Sequence, residues 1–228
     1  LSMDKETVEQ LHASIGERSR AQANYVARLL RALFNFAQEK YPEIRIEENP
    51  VKRLSSVKAW YRVPRRQTLI KTHELKAWWK ATESINEDSR DYLRVLLLTG
   101  LRKLEGAKLE RKNVDLRART FTATRKGNST HTLPMGKYLH ALLAQRLKKT
   151  EGHRYLFPSW GARGHITEAQ KAVAKVAETS GVGFTLHDLR RTFATIAESL
   201  DISSYAVKRL LKHAVDNSDV TSGYLAID

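Results

Sequence analysis

The chain has 228 residues, with 40 Lys and Arg against 25 Asp and Glu, a net charge of +15. That length can bury a substantial core, and so basic a folded chain points to nucleic acid as its partner. The absence of cysteine excludes disulfides, thiolate nucleophiles and Cys-based zinc sites, and the longest strongly apolar run, Val95–Leu98, is far too short to span a bilayer, so a soluble intracellular protein is expected.

In chain order, residues 4–41 read as one helix. Its apolar stripe is Tyr25, Leu29, Leu30, Leu33, Phe34 and Ala37, while Arg18, Arg20, Arg28 and Arg31 take other faces, either solvated or turned to phosphate. Pro42 ends it, and Asn49-Pro50 breaks the chain before a short segment, Val51–Trp60. Arg62-Val-Pro-Arg-Arg66 reads as a basic linker, because Pro64 restricts its neighbour and removes a donor. A boundary there separates 4–61 from 67–228.

The second domain opens with a helix over Thr68–Ala81, with Leu75, Trp78 and Trp79 as core residues. Asp91–Thr99 is a strongly apolar helix, and Gly100 stops it. Arg102 follows at the turn into the next helix, with Glu105 three residues on, placed to hold the Arg side chain or to act only as an N-terminal helix acid. Asn113–Asp115 reads as a turn. Thr120–Thr124 and Thr130–Pro134 alternate as strands, joined by Arg125-Lys126-Gly127-Asn128-Ser129, whose Gly-Asn suits a hairpin. An amphipathic helix over Lys137–Lys149 is built on Leu139, Leu142, Leu143 and Leu147. Tyr155–Pro158 is a short apolar anchor, and Thr167–Ser180 a further helix.

Thr185 followed by Asp188 marks a capping-box helix start, and Leu186, Leu189, Phe193, Ile196, Ala197 and Leu200 then recur at helical spacing as a buried stripe. His187 and Arg190 lie three apart and project from one face, beside that stripe. An Arg fork matches phosphate oxygens, and a His donates or exchanges a proton near neutral pH. Tyr205–Leu211 is helical and leads to Lys212-His213, a turn-rich loop over 216–219, and Tyr224. The fold class expected is mainly α with a small antiparallel hairpin, α+β.

Thr99-Gly-Leu-Arg102, Lys126 on a hairpin, His187-x-x-Arg190, and Leu211-Lys-His213 followed by Tyr224 stand in one order with compatible spacings. Together they resemble the tyrosine recombinases, the integrases of phages and genomic islands. The words His187–Thr195 and Asp219–Tyr224 are most similar to those of satellite phages and integrative islands. The resemblance implies a helical core-site-binding domain over 4–61 and a catalytic domain over 67–228. It implies that Arg102, Lys126, His187, Arg190 and His213 surround a scissile phosphodiester and that Tyr224 is the nucleophile. Lys126 is assigned through Lys126-Gly-Asn with Leu133-Pro134 following; Arg125 is adjacent, and His131 stands where many relatives carry a basic residue. Tyr155 and Tyr205 are rival tyrosines better read as packing residues.

The implied chemistry is physically coherent. Tyrosine has an ordinary pKa of about 10 and needs help losing its proton, while two Arg forks stabilise the five-coordinate phosphorus without a metal or cofactor. Lys126 protonates the departing 5′-oxygen, leaving a 3′-phosphotyrosine that a second 5′-hydroxyl reverses. The implied partners are double-stranded attachment-site DNA, further copies of the chain in a homotetramer, and DNA-bending or excision accessory proteins. The implied setting is the bacterial cytoplasm, at the nucleoid. A type IB topoisomerase, which relaxes DNA without exchanging partners, and a non-catalytic DNA-binding accessory protein are the competing readings. An N-terminal arm-binding domain is usual in such integrases and is not in this sequence, so the chain is read either as a fragment or as one from which that domain was removed. Only four residues follow Tyr224.

Overall fold

A computed structural model describes residues 3–43, 48–125 and 127–211, and the chain divides into two compact units, Leu1–Gln67 and Thr68–Asp228. In the first unit the expected single helix is two, α1 (Lys5–Arg18) and α2 (Arg20–Lys40). Ser19 makes the break. Its extended backbone (φ −157°) leaves the helix, its N–H still closes α1 on Ile15 O at 2.9 Å, and its hydroxyl caps α2 by accepting from the Gln22 N–H. Short polar side chains at such positions compete with the helical ladder, which a reading by apolar period alone overlooks.

The α1–α2 contact runs through Ala23 and Ala27, with Val8, Val51 and Leu54 completing the buried core and Leu30, Phe34 and Trp60 packed at its edge. The small side chains let the helices approach closely. Tyr25, Leu29 and Leu33, read as core from their spacing, are instead half-exposed. Tyr25 and Leu29 fall on the side of α2 roughly opposite Ala23 and Ala27, and Leu33 on its flank, since each residue turns the helix by about 100°. Past α3 (Lys52–Ser56), Asn24 donates to Tyr61 O at 2.8 Å and accepts from the Tyr61 N–H, while His12 bonds Asn24 Oδ1 and stacks on the Tyr61 ring. Buried His12 and Asn24 thus hold the half-buried Tyr61 at the exit of the unit.

In the second unit, residues 68–71 have no regular secondary structure, and a 3-10 turn leads into α4 (Leu75–Ala81), so the helix begins later than the sequence suggested. Trp78 is fully buried and meets Phe184 edge-on at 5.6 Å. Helix α5 (Glu87–Thr99) is the centre of the core: Leu93, Val95 and Leu96 have no exposed surface. After α6 (Lys103–Ala107) a three-stranded antiparallel sheet follows in the order β1 (Val114–Asp115), β2 (Thr120–Thr124), β3 (Thr130–Pro134). The stretch expected as a turn at Asn113–Asp115 therefore contributes a third strand, pairing Val114 with Phe121. Two residues are too few to show an alternation.

Helices α7 (Lys137–Lys149), α8 (Gln170–Ser180), α9 (Leu186–Ser199) and α10 (Ser204–Leu210) complete the described chain. The α9 stripe is buried at Leu189 and Ala197, but Leu200 is 67% exposed, because α9 ends before it. None of the described helices is long and apolar enough to cross a membrane.

Gly100 caps α5 with φ +63°, and a Cβ there would lie 2.6 Å from both Leu211 Cδ2 and Phe193 Cδ1. The position needs glycine twice over, for its left-handed backbone and for the space α9 and α10 leave it. Gly100→Ala is expected to cost about 1–2 kcal/mol from the backbone alone, with a further penalty of about 1–3 kcal/mol for overpacking. Urea titration should show the midpoint fall with an unchanged slope; a midpoint equal to the parent's would refute this account of the junction.

Candidate functional site

The site lies in a cleft of about 1040 Å³ in the second unit, lined among others by Arg102, Lys108, Arg125, His187, Arg190 and the turn residues Gly127–Ser129. Arg102 is the N-cap of α6. Its backbone N–H donates to Glu105 Oε2 and its Nη1 to Oε1, each at 2.9 Å, so one carboxylate holds both ends of the residue. Of the two readings open for Glu105, both hold: it is the helix acid and it fixes the arginine. Its Oε1 also accepts from Arg125 Nε at 3.2 Å. Burial alone would raise the Glu105 pKa, but the bonds from Arg102 outweigh it and hold the carboxyl below its ordinary 4.5.

Arg190 is placed differently from the expectation that it stands beside the buried stripe. It is 5% exposed, and its guanidinium donates to Gly100 O and, at 2.6 Å, to Leu211 O. The ends of α5, α9 and α10 meet on this one side chain. Desolvation, then the charges of Arg102 and Arg125, bring its pKa down to about 10. It remains a cation at neutral pH, with a nearby positive field that an anion would relieve. His187, in the first turn of α9, is exposed to the cleft. Partial desolvation and then the charges of Arg191 and Arg190 hold its pKa below 6.5, so at pH 7 it is neutral, able to donate from one nitrogen and accept at the other.

The start of α9 is anchored as the sequence suggested. Thr185 accepts from the Asp188 N–H, and Asp188 Oδ2 accepts from both the N–H (2.9 Å) and hydroxyl (2.8 Å) of Thr185. Asp188 Oδ1 takes the Thr68 hydroxyl at 2.8 Å, and Ile70 N–H donates to Thr192. These bonds fix the helix that carries His187 and Arg190.

Arg102, His187 and Arg190 are thus brought to one cleft, while Lys126, His213 and Tyr224 lie outside the described residues. Tyr205 is half-buried on α10 with Arg209 over its ring, and Tyr155 packs edge-on against His165. Lys103, Lys108 and the Arg125 bond to Glu105 were not singled out from the sequence. A signal for Arg125 was present: Phe121 and Ala123 are the buried positions of β2, and the next inward position is 125.

Over residues 68–228 the chain matches the Phage integrase family, and it belongs to that family. It is similar to the prophage integrase IntF of Escherichia coli K12, 28% identical over 200 residues, covering 82% of this chain and 42% of that protein. It is also similar to the tyrosine recombinase XerC of Alcanivorax borkumensis, 27% identical over 201 residues, 83% of this chain and 65% of that one. The chain therefore spans about two-fifths to two-thirds of the length of these relatives. In fold it resembles the Tn1549 transposon integrase solved with circular intermediate DNA: TM-score 0.73, 18% identity, 100% of this chain and 82% of that one.

Glu105 supplies a pH signature. Its folded pKa is depressed, so its contribution to stability is present above about pH 4.5 and is lost as the pH falls through the folded value. Glu105→Gln should be less stable than the parent at pH 7 by about 1.5–3 kcal/mol, the range for hydrogen bonds to charged groups. The gap should close at the acid end, once the pH has fallen through the depressed folded value and both carry a neutral side chain. Chemical denaturation at a series of pH values checks this, and a gap constant with pH would show that the carboxylate charge plays no part.

Proposed function

We propose that this chain cleaves and rejoins DNA as a site-specific recombinase of the integrase type, through a 3′-phosphotyrosine intermediate, so integrating or excising a mobile element. The observation that carries the reading is Arg102 and Arg190 with His187 in one basic cleft of a chain that belongs to the Phage integrase family. In this reading the two guanidiniums hold the non-bridging oxygens of the scissile phosphate, Arg102 steadied by Glu105 and Arg190 by two main-chain carbonyls. His187, neutral and exposed to the cleft, bonds a phosphate oxygen or takes part in moving the tyrosine proton. Tyr224 attacks phosphorus, Lys126 gives a proton to the leaving 5′-oxygen, and His213 completes the set around the phosphate. The phosphotyrosine ester keeps the bond energy, so a second 5′-hydroxyl reseals the strand without a nucleotide cofactor.

The first unit, with Arg20, Arg28 and Arg31 lying over the Tyr61 and Trp60 rings, is proposed as the core-site-binding domain. The substrate is double-stranded attachment-site DNA in the bacterial cytoplasm, at the nucleoid. A homotetramer on two sites and DNA-bending or excision accessory proteins belong to the same proposal. With +15 on the chain, affinity should fall steeply with salt, at a log–log slope of roughly −0.9 per phosphate contact; an affinity that ignores salt would contradict it.

The direct test is a denaturing gel after incubation with a labelled nicked suicide duplex. The parent should give a DNA-shifted protein band. Tyr224→Phe should bind DNA about as well and give none, whereas Tyr205→Phe should keep the band. Arg190→Ala should lower the cleavage rate by roughly 10²–10³ or more, as for loss of one oxyanion donor. A band in Tyr224→Phe, or its loss in Tyr205→Phe, overturns the assignment of the nucleophile.

A further inference from the structure

Gly127–Ser129, in the turn between β2 and β3, line the cleft with little packing of their own. Residues 127–130 are exposed, and no atom lies within 4 Å of where a Cβ would stand on Gly127. At its base stands Arg125. The Arg125 N–H donates to Ser129 O at 2.9 Å, and Arg125 O accepts from the Asn128 N–H at 3.1 Å, so this residue closes the turn. Its side chain continues inward from the buried face of β2, is 23% exposed, and donates from Nε to Glu105 Oε1. That oxygen also takes Arg102 Nη1, and the other holds the Arg102 N–H. A single carboxylate on α6 is thus bonded both to the arginine of the phosphate site and to the residue that closes the turn.

We propose that Arg125 is a positioning residue for DNA cleavage: through Glu105 it fixes the β2–β3 turn relative to the phosphate site. The proposal rests on the functional reading above. In the cleavage step the Tyr224 oxygen forms a bond to phosphorus, the bond from phosphorus to the 5′-oxygen breaks, and that oxygen takes a proton. The residue following Arg125 is Lys126, the proton donor of that reading. Loosening the turn lowers the fraction of time the donor is in place, and proximity of this kind is lost quickly with small displacements. Arg102 keeps its own two bonds to Glu105, so the hold on the non-bridging oxygens survives. Loss of Arg125 should therefore weaken leaving-group protonation and little else.

The test compares parent, Arg125→Ala, Arg125→Lys, Lys126→Ala and the double variant Arg125→Ala with Lys126→Ala on two suicide duplexes. One carries the ordinary 5′-oxygen at the scissile bond, the other a bridging 5′-sulfur, which leaves as a thiolate and needs no proton. On oxygen, Arg125→Ala should be slowed roughly 10- to 100-fold, at or below the 10²–10⁴-fold that a general acid supplies. On sulfur it should return to within a few-fold of the parent. The double variant should be no slower than Lys126→Ala alone. Arg125→Lys, which keeps a charge but loses the planar fork, should fall between parent and alanine, and it serves where the alanine variant folds poorly. DNA affinity and the urea midpoint, measured for each variant, identify any that are misfolded. Equal slowing on both substrates would mean that Arg125 acts on the phosphate or on the fold, and overturns the proposal. So does an oxygen rate within two-fold of the parent. A parent that forms no adduct on either substrate sinks the functional reading, and this proposal with it.

Discussion

The second unit depends on one buried cation. Arg190 leaves the second turn of α9 and bonds the carbonyls of Gly100 and Leu211, the residues that cap α5 and α10, so three helices share a single side chain. Backbone carbonyls at helix C-termini lack partners within their own helix and carry partial negative charge, which makes them suited to hold a guanidinium. They neutralise it only in part. The arrangement therefore fixes the position of the arginine without cancelling its charge, whereas a carboxylate partner would do both. Arg102 is treated in the opposite way: it has a carboxylate, but shares it with Arg125. The cleft accordingly retains a surplus of positive charge with its cations held in place.

Around this junction the anchoring is polar and local. The Thr185–Asp188 box starts α9 within the helix itself, and bonds from residues 68 and 70 to Asp188 and Thr192 brace the start of the same helix from a segment before α4. Burial of Leu189 beneath the box keeps that turn against the core. Such bonds in a dry setting are individually stronger than on the surface and costly to leave half-made. A phosphate site needs this stiffness, because its arginines contribute by standing in the right place before the substrate arrives.

How much of this was legible in the sequence follows from the range of each signal. The Thr185–Asp188 box, the glycine stop at 100 and the Gly-Asn hairpin are local rules read within a few residues, and the structure has them where the rules put them. Spacing also sufficed to gather Arg102, His187 and Arg190, given the resemblance. Apolar period failed on α2, because two faces of one helix both carry large apolar side chains, and only the α1 partner decides which is buried. It failed on Ser19 because a single capping hydroxyl outweighs an otherwise continuous helical pattern. The inward turn of Arg190 depends on carbonyls 90 and 21 residues away, which no local rule can see.

The depressed pKa of Arg190 has a meaning beyond the site itself. A pKa pushed down by burial and by like charges means that keeping Arg190 charged costs the folded chain more than it costs the unfolded one. Any anion that settles between Arg102 and Arg190 removes part of that penalty and, by mass action, shifts the unfolding equilibrium toward the native state by an amount set by its concentration over its dissociation constant. Occupancy and thermal stability are then two readings of one equilibrium, and the melting temperature of this chain becomes a gauge of what its cleft contains.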